Sequence, residues 1–230
     1  MSNLPQRLLA ELIGTAGLLM VVIGSGIMGA SLAGGNEAVA LLANALATGF
    51  GLYVLILTLG PISGAHFNPS VTIAFALTER WPLQLVALYT AAQCGGGVLG
   101  VWAAHIMFDL PVLQWASTVR DGSNLLFSEV IATTGLLGTI FLTLRSSAAQ
   151  VAPAVGAYIT AAYWFTASTS FANPAVTVAR TLSDTFAGIR TADMPLFVGV
   201  QVVTAVAFGL VALRLARSQH GEVAENRSPA

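Results

Sequence analysis

Two short stretches of the sequence carry the same polar residues, and their chemistry suits hydrogen bonding to a passing solute. Ser63–Thr72 reads Ser-Gly-Ala-His-Phe-Asn-Pro-Ser-Val-Thr, and Ser170–Arg180 reads Ser-Phe-Ala-Asn-Pro-Ala-Val-Thr-Val-Ala-Arg. Asn can cap a helix and Pro fits its first turn, so each Asn-Pro pair predicts a helix start. Each start is followed by about eight to ten apolar residues, whereas about 20 are needed to cross a bilayer. The two stretches therefore predict half-helices whose N-termini meet inside a membrane protein.

The composition indicates a chain that lies in lipid. Of its 230 residues 56% are hydrophobic and 8% are charged, whereas about 25% are charged in a soluble domain. The net charge is −1 and every cation is Arg, so no basic tract predicts nucleic-acid binding. The lone Cys94 excludes an internal disulfide and a cysteine-rich metal site. The first apolar run is too long for a cleaved signal peptide and contains Glu11, so we expect it to be an uncleaved span.

Six apolar runs are candidates for membrane spans, and the fifth is the shortest of them. The two Asn-Pro stretches follow the second and the fifth run. The runs are Leu8–Met28, Val39–Leu59, Leu83–Ile106, Leu125–Leu144, Val151–Ala167 and Leu196–Leu215.

The two halves of the chain are repeats. Glu11–Leu19 matches Glu129–Leu137, and the third and sixth runs each carry an early Gln, Gln93 and Gln201. Each half therefore contains three spans and one half-helix, and an odd number of spans makes the repeats inverted. We predict one domain, 1–220, built from repeats 8–108 and 125–217, and a disordered cytoplasmic tail, 219–230.

The arginines favour a topology with both termini in the cytoplasm, because cytoplasmic loops carry an excess of positive charge. In that orientation six arginines are cytoplasmic, while Arg120, Arg180 and Arg190 lie outside or in the second re-entrant segment. The six are Arg7, Arg80, Arg145, Arg214, Arg217 and Arg227.

From about Leu8 to Leu215 this arrangement resembles the aquaporin and aquaglyceroporin family, the major intrinsic proteins. The resemblance implies an all-α membrane protein with six transmembrane helices, two re-entrant half-helices and a pore in each protomer of a homotetramer. No cofactor or metal is expected. Two half-helix N-termini at the midplane would repel cations and protons, as is established for aquaporin-type pores. The pore motifs would be Asn68, Pro69, Ser70, Asn173, Pro174 and Ala175.

The buried acids have two interpretations. The resemblance implies that Glu11 and Glu129 accept hydrogen bonds from the re-entrant loops, and that His66 braces the first loop near the cytoplasmic mouth. Intramembrane carboxylates are also functional candidates by default, so a proton relay is the alternative for the glutamates. A pH-sensing role is the alternative for His66.

Counting from the two asparagines places the family's narrowest point at Thr48, Ala161, Ser170 and Val176. Water-selective members of the family have a bulky aromatic residue, a His and an Arg at these positions. This chain has no aromatic residue and no Arg among the four. We therefore predict a wide, nearly uncharged aperture that admits solutes larger than water.

Arg180 lies four residues after Val176, one helical turn further out. One interpretation places its charge in the periplasmic vestibule, just outside the aperture. The alternative is an ion pair with Asp184 at i,i+4 spacing.

The continuation of the second stretch through Gly188 is similar to bacterial aquaglyceroporins encoded with arsenic-resistance genes. The resemblance implies a passive channel in the bacterial inner membrane for small neutral solutes. These would be arsenite, methylated arsenicals, glycerol-like solutes and water. The alternatives are a general facilitator of glycerol, urea and hydrogen peroxide, or an ion-coupled secondary transporter. The three His are scattered at 66, 105 and 220 and no nucleophile–base pair or metal cluster occurs, so we do not expect an enzyme.

Overall fold

The computed structural model describes residues 2–225, and these residues form helices joined by loops and turns, with no strand. A single 3₁₀ turn, Ala148–Gln150, precedes the sixth α-helix. The helices are α1 Leu4–Leu32, α2 Glu37–Ser63, α3 Pro69–Glu79, α4 Leu83–Met107, α5 Ser123–Ser146, α6 Val151–Phe165, α7 Pro174–Arg180 and α8 Met194–Glu225.

Asparagine side chains begin four of these helices. Asn3 caps α1 in a capping box with Gln6, and Asn36 accepts hydrogen bonds from the first N–H groups of α2. Asn68 and Asn173 cap the short helices α3 and α7, each with Pro in the first turn. The Asn-Pro pairs therefore start helices, because the side chain satisfies N–H groups that the helix leaves unpaired and Pro has none to satisfy.

The predicted fold class is confirmed: residues 2–225 form six longer helices and two half-helices. Helices α1, α2, α4, α5 and α8 are long and apolar enough to cross a membrane. Helix α6 has 15 residues, which corresponds to a length of roughly 22 Å at 1.5 Å per residue. Helices α3 and α7, with 11 and 7 residues, are too short to cross.

The half-helices join the two halves of the chain. Helix α3 packs against α4 of its own half and also against α8, and α7 packs against α8 and also against α4. We call the side that holds Ser2, Trp81 and Leu144 the termini side, because these residues line one cavity there. The side that holds the loops 108–122 and 181–193 is called the loop side.

Glycines allow α1 and α4 to cross in direct backbone contact. A Cβ built on Gly96 would lie 2.2 Å from the carbonyl oxygen of Leu12, and one on Gly100 would lie 2.2 Å from that of Ala16. No such crowding exists at Gly95, where a Cβ meets nothing within 4 Å. Small residues at these positions let membrane helices approach closely.

We expect Gly100→Ala to destabilise the protein by about 1–3 kcal/mol, because the added methyl group overpacks the α1–α4 contact. Gly95→Ala is the matched control, since it makes the same change on the same helix in open space. The midpoint of thermal unfolding in detergent measures both. Equal midpoints for the two variants would show that the crossing does not depend on this glycine.

Helix α8 continues to Glu225, beyond the point where we predicted a disordered tail to begin. That prediction is wrong for 219–225, and the remainder, 226–230, lies outside the described residues. Gln, Glu and Ala are good helix formers, and extending an existing helix avoids the cost of nucleation. The polar composition therefore did not end the helix.

Candidate pore site

The two capping asparagines are linked to each other's loops. Asn68 accepts from the N–H of Ser70 at 2.8 Å and donates Nδ2–H to the carbonyl oxygen of Ala172 at 2.8 Å. Asn173 accepts from the N–H of Ala175 at 3.0 Å and donates Nδ2–H to the carbonyl oxygen of Phe67 at 2.8 Å. Each NH₂ group has two protons, so one N–H of each amide remains for a solute.

The loops before α3 and α7 have matching strained backbones. Ala65 and Phe67 have φ values of 50° and 48°, and the residues 105 positions later, Ser170 and Ala172, have values of 51° and 47°. Left-handed backbone at residues other than Gly costs about 1–3 kcal/mol each and persists only where the surroundings enforce it. Each loop therefore needs contacts that hold its backbone in this conformation, and the repeat predicts the same contacts in both halves of the chain.

Two buried glutamates provide these contacts by accepting hydrogen bonds from the loops. Glu11 accepts hydrogen bonds from the N–H groups of His66 and Phe67 at 3.0 and 2.7 Å and from Ser63 Oγ at 2.7 Å. In the second half, Glu129 accepts from the N–H groups of Phe171 and Ala172 at 2.9 and 2.8 Å.

A glutamine on the last helix of each repeat completes the arrangement. Gln93 donates to Glu11 at 2.8 Å and to Thr72 at 3.0 Å. Gln201 donates to Glu129 at 2.6 Å and to Thr177 at 3.0 Å. Neither carboxylate lines the cavity described next. The contacts favour bracing over a proton relay.

His66 ties the first loop to α3 and to an aromatic cluster. Its Nδ1 lies 3.1 Å from Thr72 Oγ1. Its ring stacks on Phe75 and Trp81, with centroid separations of 4.8 and 5.4 Å. The side chain is almost completely buried, and it lies where two cavities join.

A narrow cavity beside the asparagines adjoins a wider vestibule. The narrow cavity has a volume of about 60 Å³ and is lined by Asn68, Asn173 and residues of α1, α2, α3, α5, α6 and α7. The vestibule on the termini side has a volume of about 490 Å³. The two cavities adjoin, since six residues line both: Ile56, Ala65, His66, Val71, Ile140 and Val155.

Three of the four predicted constriction residues line the narrow cavity: Thr48, Ser170 and Val176. Ala161 does not. It is exposed and lines an outward groove with Phe50 and Trp164. That part of the prediction is therefore wrong.

The periodicity of α6 explains the error at Ala161. Val155, Ile159 and Tyr163 recur every four residues and all line the cavity, whereas Ala161 is two residues from its nearest such neighbours and points elsewhere. Tyr163 lies opposite Thr48, with 3.4 Å between the two hydroxyl oxygens. The helical period of the cavity-lining face, rather than a count back from Asn173, would have identified Tyr163.

The prediction of a nearly uncharged aperture without aromatic residues is also wrong. Tyr163, Phe171 and Arg180 line the same cavity as Thr48 and Val176. The pore therefore has aromatic residues and one guanidinium group at its loop-side end. The width of the aperture stays a prediction.

Arg180 lies in the cavity wall rather than outside it. The side chain is buried, its Nε donates to the carbonyl oxygen of Ala187, and its Cζ lies 3.5 Å from the centre of the Phe171 ring. The alternative ion pair with Asp184 is absent from the described residues. Asp184 instead accepts from the N–H and Oγ of Ser117 at 2.9 and 2.7 Å, and these bonds hold its carboxyl pKa below the usual range.

We expect Thr48→Phe to lower solute permeation at least about tenfold, since a barrier increase of only ~1.4 kcal/mol has that effect. The ring would enter a cavity of about 60 Å³. Ala161→Phe is the control, because it adds the same ring to the outward groove and should leave permeation unchanged. Glycerol uptake by proteoliposomes measures both variants. If Ala161→Phe also lowers permeation, Ala161 lies in the pore wall and the assignment to the outward groove is wrong.

Comparison with known proteins agrees with this geometry. Residues 1–151 match the model of the family described as major intrinsic protein. The chain is 49% identical over 204 residues to the aquaglyceroporin AqpS of Rhizobium meliloti, covering 89% of this chain and 87% of AqpS. It is 38% identical to nodulin-26 of Glycine max over 120 residues, 52% of this chain but only 43% of nodulin-26.

A solved structure shares the fold. The aquaglyceroporin from Plasmodium falciparum superposes with a TM-score of 0.72 at 18% sequence identity, over 90% of this chain and 95% of that one. At this identity the likeness shows the arrangement of helices and no more.

Proposed function

From the premise that the chain belongs to the major intrinsic protein family of membrane channels, we propose that it conducts small uncharged solutes passively through the cavity between its half-helices. The proposed solutes are neutral arsenite, methylated arsenicals, glycerol-like polyols and water. The observation that carries the proposal is the pair of adjoining cavities, of which the narrow one is lined by Asn68 and Asn173.

The lining of the narrow cavity includes both polar and aliphatic residues. The polar residues offer hydrogen-bonding groups: Thr48, Asn68, Ser170, Asn173 and Arg180. The aliphatic residues include Leu52, Val155, Ile159 and Val176. A polyol presents both hydroxyl and C–H groups, so it can contact both kinds of residue.

The Ser170 hydroxyl has no hydrogen-bond partner among the residues that the structure describes. Its Oγ is buried, and Ser170 is among the residues that line the cavity. An unpaired buried hydroxyl costs about 1–3 kcal/mol, which a solute hydroxyl or a water molecule would offset. Neutral arsenite carries three hydroxyl groups, so the same argument applies to it as to glycerol.

Charged solutes meet an unfavourable potential at the asparagines. Helices α3 and α7 both begin at this point, and the N-terminus of each helix carries roughly half a positive charge. The lining of the narrow cavity includes no carboxylate among the described residues. Cations and protons would therefore be excluded, and a passive channel is favoured over an ion-coupled transporter.

The test is a permeability panel in proteoliposomes for water, glycerol, urea and arsenite. We expect glycerol and arsenite to equilibrate faster than in protein-free vesicles and independently of proton or sodium gradients. Faster urea than arsenite entry would favour the general glycerol, urea and hydrogen peroxide facilitator. Entry that requires an ion gradient would contradict the channel.

The assembly and location follow the same family. We propose a homotetramer with one pore per protomer, in the bacterial plasma membrane with both termini in the cytoplasm. The similarity to a Rhizobium meliloti protein supports the bacterial membrane, and the arginine distribution supports the orientation. Native mass spectrometry in detergent would give four chains if the proposal is correct.

A further inference from the structure

The loop side of the pore contains a contact between two arginines and one phenylalanine. The backbone N–H of Phe171 donates to the Glu129 carboxylate at 2.9 Å. Its ring packs edge-on against the ring of Phe197, with a centroid separation of 5.3 Å. Phe171 is among the residues that line the narrow cavity. Its position is therefore fixed by groups that lie behind the pore wall.

Both guanidinium groups lie over this ring. The Cζ of Arg180 is 3.5 Å from the ring centre and that of Arg120 is 5.0 Å from it. Their Nε–H groups donate to consecutive carbonyls, Arg180 to Ala187 and Arg120 to Gly188. Cation–π contacts of this kind are stabilising, so the ring and the two carbonyls hold both side chains.

Arg120 comes from outside the helices. It lies in the loop between α4 and α5, and its N–H donates to Asp193 Oδ2 at 2.8 Å. Asp193 also forms an ion pair with Arg190 at 2.7 Å. Among the described residues, no carboxylate lies within ion-pair distance of Arg120 or Arg180.

Two like charges that share one ring repel each other, and the repulsion is little screened where water is scarce. Arg120 occupies the space next to Gly188, towards the loop side, and Arg180 lines the pore. Any movement of Arg180 that shortens its distance to the Arg120 guanidinium is opposed by this repulsion. Arg120 thus restricts the positions that the Arg180 side chain can take.

We propose that Arg120 is a specificity-determining positioning residue: acting through Phe171, it keeps Arg180 in the pore wall and so limits the size of the solute that passes. The inference rests on the proposed passage of small neutral solutes. It assigns control of the pore to a residue of the loop between α4 and α5 that does not itself line the narrow cavity.

The first test compares erythritol with glycerol in proteoliposomes. We expect Arg120→Met and Arg180→Met each to raise the ratio of erythritol to glycerol permeability about threefold or more. Because both act on one contact, the double variant should not exceed the larger single effect. Arg80→Met, on an exposed residue at the end of α3, is the control and should leave the ratio unchanged. An unchanged ratio in Arg120→Met, or effects that multiply in the double variant, would overturn the proposal.

The second test does not depend on solute flux. Ser170→Cys places a thiol on a residue that lines the same cavity as Arg180, and its rate of modification by a small thiol reagent is measured in detergent. Adding Arg120→Met should accelerate that reaction about threefold or more, whereas adding Arg80→Met should not. The unsubstituted chain gives the background from Cys94. If Arg120→Met leaves the rate of thiol modification unchanged, the positioning role is contradicted, whether or not the protein conducts glycerol. If glycerol flux is absent but the rate of modification rises, only the proposed function is contradicted.

Discussion

Val176→Arg is expected to lower glycerol and arsenite permeation at least about tenfold, a barrier increase of only ~1.4 kcal/mol. Val176 lies three residues after Asn173 on α7 and lines the narrow cavity. An arginine there would fill much of the roughly 60 Å³ available. It would also stand one helical turn from Arg180, and like charges at i,i+4 spacing repel each other.

Val176→Thr is the matched control, since it keeps the branched shape and adds only a hydroxyl group. We expect it to retain most of the permeability of the unsubstituted protein. The measurement is the rate of glycerol-driven volume recovery of proteoliposomes. If Val176→Arg retains the full solute profile, Val176 does not lie at the narrow part of the pore.

Glu129→Gln is expected to destabilise the protein by about 1–3 kcal/mol, the usual cost of leaving a buried hydrogen-bond donor without its acceptor. The carboxylate accepts from the N–H groups of Phe171 and Ala172 and from Gln201. An amide offers one acceptor oxygen, and its NH₂ group would face donors. The left-handed backbone of Ser170 and Ala172 would lose the contacts that hold it.

Glu37→Gln makes the same substitution at an exposed position in the first turn of α2 and should leave stability unchanged. Thermal unfolding in detergent and glycerol permeability measure both variants. Retained stability and passive permeability in Glu129→Gln, together with loss of a proton-coupled flux, would support the proton-relay interpretation instead.

The framework of the pore could be predicted from the sequence because its signals are local and duplicated. Asn-Pro starts a helix wherever it occurs, and the second copy at Asn173 showed that the first at Asn68 was not incidental. Glu11 and Glu129 occupy equivalent places in the two repeats and meet equivalent backbone N–H groups. Features that depend on a few neighbouring residues, and that occur twice in the chain, can be predicted from the sequence.

The composition of the pore wall could not be predicted by counting. The path from Ala161 to Asn173 crosses the end of α6 and a loop with left-handed residues at Thr169, Ser170 and Ala172. Helical spacing does not continue through such a loop, so the count from Asn173 identified the wrong face of α6. Tyr163 is the residue of that helix that approaches Thr48.

The place of Arg180 depends on tertiary contacts that no local pattern records. Its spacing to Asp184 allowed an ion pair, but α7 ends at Arg180, so the two residues do not share a helix face. The carbonyl of Ala187 and the ring of Phe171 hold the guanidinium in the cavity wall instead. A correct prediction would have required the path of the loop 181–193.

The most direct measurement of the central claim is glycerol entry into proteoliposomes, recorded together with the proton leak of the same vesicles. If the cavity between Asn68 and Asn173 is a pore for neutral solutes, glycerol entry should exceed that of protein-free vesicles at least about tenfold. It should be the same with and without a proton gradient, and the proton leak should not rise. Glycerol entry at the rate of protein-free vesicles, or entry that requires the gradient, would contradict the account.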